Sequence, residues 1–219
     1  MNKQFSSSKQ GMSALLVMLT LLISAAGVVE AQQSPGFKET DKLISKSQST
    51  ISQIRSTKLQ TEATLDGYNA IIDGKVPDNR KAYKGLVKDI QKCENQADKV
   101  GNRIVAMQTA ASTYFSNWEA SIAGITSDDL RAKSEMRLKE TRANYDEILK
   151  AAQKAGDEFK PFITNLHDQV TFLGHDLNPS AIADLKDDAA KLNSKGAKVF
   201  SAVDDTIEVA SKYTNSLKP

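Results

Sequence analysis

An all-α fold, an elongated antiparallel bundle of about four long helices with coiled-coil seams, is what the sequence predicts, on three observations. Apolar residues recur at alternating three- and four-residue steps through most of the chain beyond its leader. Gly, Pro and Asp punctuation interrupts that pattern at three places only. No segment combines β-branched alternation with hairpin turns, so no sheet is expected.

Residues 1–31 read as a signal peptide. Lys3 and Lys9 precede an apolar stretch from Met12 to Val29, and Val29-Glu30-Ala31 offers compact residues at the −3 and −1 sites of a signal peptidase. The mature chain, residues 32–219, then begins at Gln32 as a single helical-bundle domain, periplasmic or secreted. The alternative is an inner-membrane anchor formed by residues 12–29, a stretch that barely reaches the span of a bilayer. No cysteine lies near the end of this stretch, so the lipid-accepting cysteine of a bacterial lipoprotein is missing.

After Ser34-Pro35-Gly36 a first helix is expected from about Phe37 to Ile72, with rows Ile44, Ile51, Lys58, Leu65, Ile72 and Ser47, Ile54, Thr61, Tyr68. Its seam is only partly apolar. The stretch from Asp73 to Asn79 makes the turn. The second helix, Asn79 to about Ile122, carries Tyr83, Leu86, Ile90, Cys93, Ala97, Val100, Ile104, Met107, Ala111, Tyr114 and Trp118 on one seam. A spacing averaging 3.5 residues sustained this long keeps one stripe facing a partner along a helix of about 65 Å.

Gly124 ends that helix, and Thr126-Ser127-Asp128-Asp129 supplies capping oxygens and negative charge for the next. The third helix follows Leu138, Tyr145, Ile148, Ala152, Ala155, Phe159, Phe162, Leu166, Val170 and Leu173. Pro161 removes a hydrogen bond just before the heptad phase slips, predicting a kink near Asp157 to Pro161 or a break into two shorter helices. Asn178-Pro179 restarts a fourth helix running nearly to the terminus, with Ile182, Leu185, Ala189, Leu192, Gly196, Val199, Val203, Ile207 and Ala210 on its seam. Alanines 97, 111, 152 and 155 on the seams predict close approach of helix axes.

Composition narrows the chemistry. With 40% hydrophobic and 26% charged residues the chain can bury a core. Cys93 is the single cysteine, so stability must come from packing and not from an internal disulfide. Loss of the leader removes Lys3, Lys9 and Glu30 and moves the net charge from +2 to +1, a balance that argues against a nucleic-acid binder, which normally shows a concentrated basic face.

Few residues could carry a reaction. His167 and His175, each followed by an aspartate, lie eight residues apart, about 12 Å along a helix, too far to share one metal from that helix alone. Cys93 sits on a seam, where a cysteine acts as a small buried apolar residue. Tyr114, Phe115 and Trp118 read as a core plug. No phosphate-binding glycine loop or nucleophile elbow is found, so no catalytic residue, metal or cofactor is expected. Pro161, His167, Asp168, Gln169, His175, Asp176 and Asn178 remain as a candidate structural or interaction segment, where Gln169 is expected to bond across the bundle as regular packing fails.

That segment, Leu166-His167-Asp168-Gln169-Val170-Thr171-Phe172-Leu173-Gly174-His175-Asp176-Leu177-Asn178 with Ala181-Ile182-Ala183-Asp184-Leu185 after it, resembles a bacterial family known as a domain of unknown function, DUF2959. The resemblance reaches back through Pro161-Phe162, Thr141 to Tyr145 and Trp118-Glu119. It covers roughly Tyr83 to Leu217 well and the first helix poorly. It implies an exported helical protein and brings no activity or catalytic residues.

Three functions compete. The first is a non-catalytic periplasmic scaffold or partner-binding protein, acting on another protein or through self-association. It is favoured by incomplete seams such as that of the first helix. The second is a membrane-active or pore-forming helical protein, touching a membrane only through an uncleaved leader or after rearrangement. An enzyme built on the His167 and His175 dyads ranks last.

Overall fold

The computed structural model describes residues 35–218, and the leader, its cleavage site and the alternative anchor at 12–29 lie outside the described residues. Five helices follow in order: α1 (Pro35–Ile72), α2 (Asn79–Ala123), α3 (Asp128–His175), α4 (Pro179–Asp184) and α5 (Lys186–Ser216). There is no strand among the described residues. The chain folds as an all-α bundle.

Local chemistry sets the ends. Gly74, at φ 67°, takes the left-handed conformation that closes α1, with Gly74 N–H donating to Ile71 O at 3.1 Å and Lys75 N–H to Ala70 O at 2.9 Å. Asp78 caps α2 by accepting from Lys81 N–H at 3.0 Å. Ser127 caps α3, and Asp128 and Asp129 place negative charge in its first turn. The Arg131 guanidinium folds back to donate to Ile125 O at 2.8 and 3.1 Å, bracing the α2–α3 turn.

The long helices form a ring in the order α1, α2, α3, α5, each packed on its two neighbours. Contacts between neighbours run in opposite chain directions. On α1 and α2, Thr50 reaches Arg103 O, Thr57 reaches Gln96 O and Thr64 meets Cys93. On α1 and α5, Lys58 pairs with Asp204 and Asn69 with Asn193.

Two expectations change. The fourth helix is divided at Leu185, whose conformation (φ −86°, ψ −4°) separates the short α4 from α5. Ile182 and Leu185 both reach the core across this step, and Asp187 and Asp188 supply negative charge at the new N-terminus, which has no side-chain cap. In α3 the break does not occur. The helix runs unbroken through Pro161, which lies exposed on its outer side while Phe162 and Ile163 turn inward.

The face of α1 that enters the bundle intersperses threonine among its apolar residues. Thr50, Thr57, Thr61 and Thr64 are buried, and each hydroxyl donates to the carbonyl four residues earlier, at 2.7 to 2.9 Å. The hydroxyl is thus satisfied within its own helix, and those of Thr50, Thr57 and Thr64 also lie against α2. Leu43 is buried in place of the expected Ile44, which is half-buried.

Two apolar clusters fill the ring. One, near the α1–α2 turn, contains Leu65, Tyr68, Ile90, Cys93, Phe162, Leu166, Leu173 and Leu192. The other, toward the α2–α3 turn, contains Leu43, Met107, Ala111, Phe115, Leu138, Tyr145, Ile148 and Tyr213.

Candidate functional site

The segment from Pro161 to Asn178 does not converge on one site. Of its candidate residues Gln169 alone points into the bundle, where its Oε1 accepts a short hydrogen bond from Tyr68 OH and its Nε2 donates to Asp188 O at 3.3 Å. One amide thus ties α3 to α1 and to α5. Burial pushes the Tyr68 phenol well above its ordinary range, with the nearby Asp188 carboxylate adding to the effect.

The other candidate residues, Pro161, His167, Asp168, His175, Asp176 and Asn178, are exposed. His167 Nε2 meets Glu94 Oε1 at 2.9 Å, joining α3 to α2 on the surface. Asp168 lies on the outer side of α3. Asp176 ends α3 and accepts from Asn178 through both carboxylate oxygens, while Asn178 caps α4 by accepting from Ala181 N–H at 2.9 Å. His175, Asp176 and Asn178 border a surface cleft with Asp78 and Arg80 from the start of α2. Among the described residues no group of three or more His, Cys, Asp or Glu side chains could hold a metal ion.

Cys93 is fully buried, with its sulfur 3.1 Å from Thr64 Oγ1. Burial raises its thiol pKa, only partly opposed by hydrogen bonding to Thr64 and Thr61. A thiol so placed is a poor nucleophile.

The most ligand-like feature lies elsewhere. Between the two apolar clusters the bundle has a waist, where Ala97, Val100, Gly101 and Ile104 of α2 and Ala152, Ala155, Gly156 and Phe159 of α3 line a cavity of about 220 Å³. Ile54, Thr57, Lys58 and Thr61 of α1 and Val199, Phe200, Val203 and Thr206 of α5 complete the wall. Polar ties between α2 and α3 fall on either side of this region: His167 to Glu94 at one end, Arg142 to Glu119 and Trp118 to Ser134 at the other. Three of the four seam alanines, expected to draw axes together, instead border open space. Only Ala111 is fully packed.

The lining is apolar in effect. The hydroxyls of Thr57, Thr61 and Thr206 donate to carbonyls of their own helices. Lys58 Nζ is held by Asp204 at 2.7 Å and Glu62 at 3.6 Å, and its hydrogen bond to Asp204 raises the ammonium pKa.

A family model for proteins of unknown function, DUF2959, matches residues 29–217. The chain belongs to this family. The match includes α1, where the sequence resemblance is weak, and so takes in every helix of the bundle. No curated protein and no solved structure matches the chain. The membrane-active alternative gains no support, because no described helix is long and apolar enough to cross a membrane.

Proposed function

We propose that this protein is an exported, non-catalytic helical bundle that acts in the periplasm as a scaffold or partner-binding protein, through another protein or a second copy of itself. The observation that carries this reading is how the chemically capable side chains are used. Cys93 meets Thr64 of α1, Gln169 joins α3 to α1 and α5, and His167 meets Glu94 of α2. Each ties one helix to another, and among the described residues no group of three or more His, Cys, Asp or Glu side chains gathers around any of them. Export is supported by the basic and apolar order of residues 3–29 and by a family match that begins only at residue 29.

Cell fractionation with N-terminal sequencing tests the location. A periplasmic chain beginning at Gln32 is expected, whereas a membrane-bound chain beginning near Met1 supports the anchor. Cross-linking in the periplasm, with light scattering of the purified protein, tests the role. A monomer that cross-links to nothing removes the scaffold reading.

A further inference from the structure

We propose that the waist cavity is a binding site for one hydrocarbon chain, whose polar end stays in solvent at a mouth between Gly101 and Gly156. The inference goes beyond the scaffold reading and does not depend on it.

Size is the first argument. A dry cavity of about 150 Å³ in a protein core binds benzene, and this one, at about 220 Å³, has room for somewhat more. Ligand pockets for whole drug-sized molecules begin at about 300 Å³. The waist therefore suits one chain and leaves the rest of an amphiphile outside.

The lining chooses the chemistry. Its threonine donors are returned to their own helices, and its one cation, Lys58, is matched by Asp204 and Glu62. Nothing in the wall holds a charge that a ligand must neutralise. An uncharged methylene chain is the complement of such a wall, and an anionic group is not.

The glycines mark the mouth. Glycine inside a helix is disfavoured relative to alanine, so a mid-helix glycine needs a reason. At Gly196 the reason is packing, because a Cβ there would lie 2.7 Å from Leu65 and 3.4 Å from Phe162. At Gly174 it is the Tyr83 ring. A Cβ at Gly101 or Gly156 would meet nothing within 4 Å, yet both glycines are exposed, sit on facing helices and border the cavity. Gly67 and Gly85 are also unopposed but do not border it. Gly101 and Gly156 are thus the unopposed pair that borders the cavity, and their lack of side chains leaves its entrance open.

The test uses the full chain, purified without detergent, and N-phenyl-1-naphthylamine fluorescence displaced by octan-1-ol or octanoate. Octan-1-ol is expected to displace the probe from one saturable site per chain. The variant A152L/A155L, which fills the wall, is expected to weaken octan-1-ol at least tenfold while the helical signal and melting temperature are kept or raised. If that variant fails to fold, Gly101→Leu with Gly156→Leu decides, since it blocks the mouth from positions that no side chain opposes. Probe binding elsewhere on the chain is common to all variants and cancels. Absence of saturable displacement, or an affinity unchanged in the folded blocking variant, overturns the proposal. Octanoate binding tenfold more tightly than octan-1-ol, with the advantage lost in Lys58→Met, replaces the uncharged chain with an anion site and overturns it as well.

Discussion

The two apolar clusters use the same residue type for opposite purposes. Near the α1–α2 turn, Tyr68 spends its hydroxyl on Gln169, which passes the connection to Asp188 O, and Asn69 and Asn193 exchange two hydrogen bonds close by. Toward the α2–α3 turn, Tyr114, Phe115, Tyr145 and Tyr213 form a chain of tilted rings with centroids 5.2 to 5.9 Å apart. There the hydroxyls of Tyr145, Tyr213 and Ser47 are buried with no partner. One cluster holds its register by directional bonds inside the core across three helices, the other by ring packing inside, with its directional ties, Trp118 to Ser134 and Arg142 to Glu119, at the edge. A buried polar group contributes to register only when its bond is made, and unmade it costs about 1–3 kcal/mol.

The largest expected effect is that of alkaline pH on both clusters. Burial raises the phenol of Tyr145 to about 12 and raises those of Tyr68 and Tyr213 as well. Their folded values lie above an unfolded value of about 10, so their stabilisation is complete below about pH 10 and is lost as pH rises through the folded values. Phenolate absorbance and helicity should therefore change together in one transition beyond pH 10. Full phenolate titration near pH 10 with the helices intact would show that these rings are open to water.

Next in size is Phe162→Ala. Phe162 is fully buried near Gly196 and Phe159, and its truncation is expected to cost about 3–5 kcal/mol in urea unfolding. Phe115→Ala should fall at the lower end of that range, because the Arg142 guanidinium 5.1 Å from its ring can move over the space. Equal losses at the two sites would erase the contrast between the clusters.

Gln169→Leu is expected to cost about 1–3 kcal/mol by stranding the Tyr68 hydroxyl. Adding Tyr68→Phe should recover part of that loss, since both partners are then apolar. A double-mutant cycle measures the coupling, and strict additivity would mean the tie contributes nothing. Smallest is the response of the other cluster: Tyr145→Phe and Tyr213→Phe should leave stability within about 0.5 kcal/mol of the parent or raise it. A loss above 1 kcal/mol in either would reveal a partner for that hydroxyl.

Legibility in the sequence tracked how directly a residue type reports its environment. The α2 seam was readable because Leu86, Ile90, Cys93 and Met107 are apolar and buried. The α1 seam looked deficient because threonine reads as polar, whereas the bond back to the helix satisfies the hydroxyls of Thr57 and Thr61 in the core. Pro161 suggested a kink or, as the alternative, a break, and the break did not form: α3 continues through Pro161, which faces solvent while Phe162 and Ile163 turn inward. The step at Leu185 escaped notice because no capping oxygen announces it. Gln169 was legible as a polar group where the heptad slips. The waist was not: alanine and glycine on a seam describe close packing and an unfilled space equally well, and only the positions of the opposite helices separate the two.

The order of the ring has a kinetic consequence. α5 packs on both α1 and α3, and the Lys58–Asp204 pair joins residues 146 apart in sequence. Contacts so distant along the chain are reached only after a long loop has been closed, and folding slows as their share grows. α1 and α2 can pair early, but α1 and α3 each keep an uncovered stripe until the 31-residue α5 packs on them. Without α5 the remaining helices would leave the stripes of α1 and α3 that it covers open to solvent, so the bundle closes only when α5 docks.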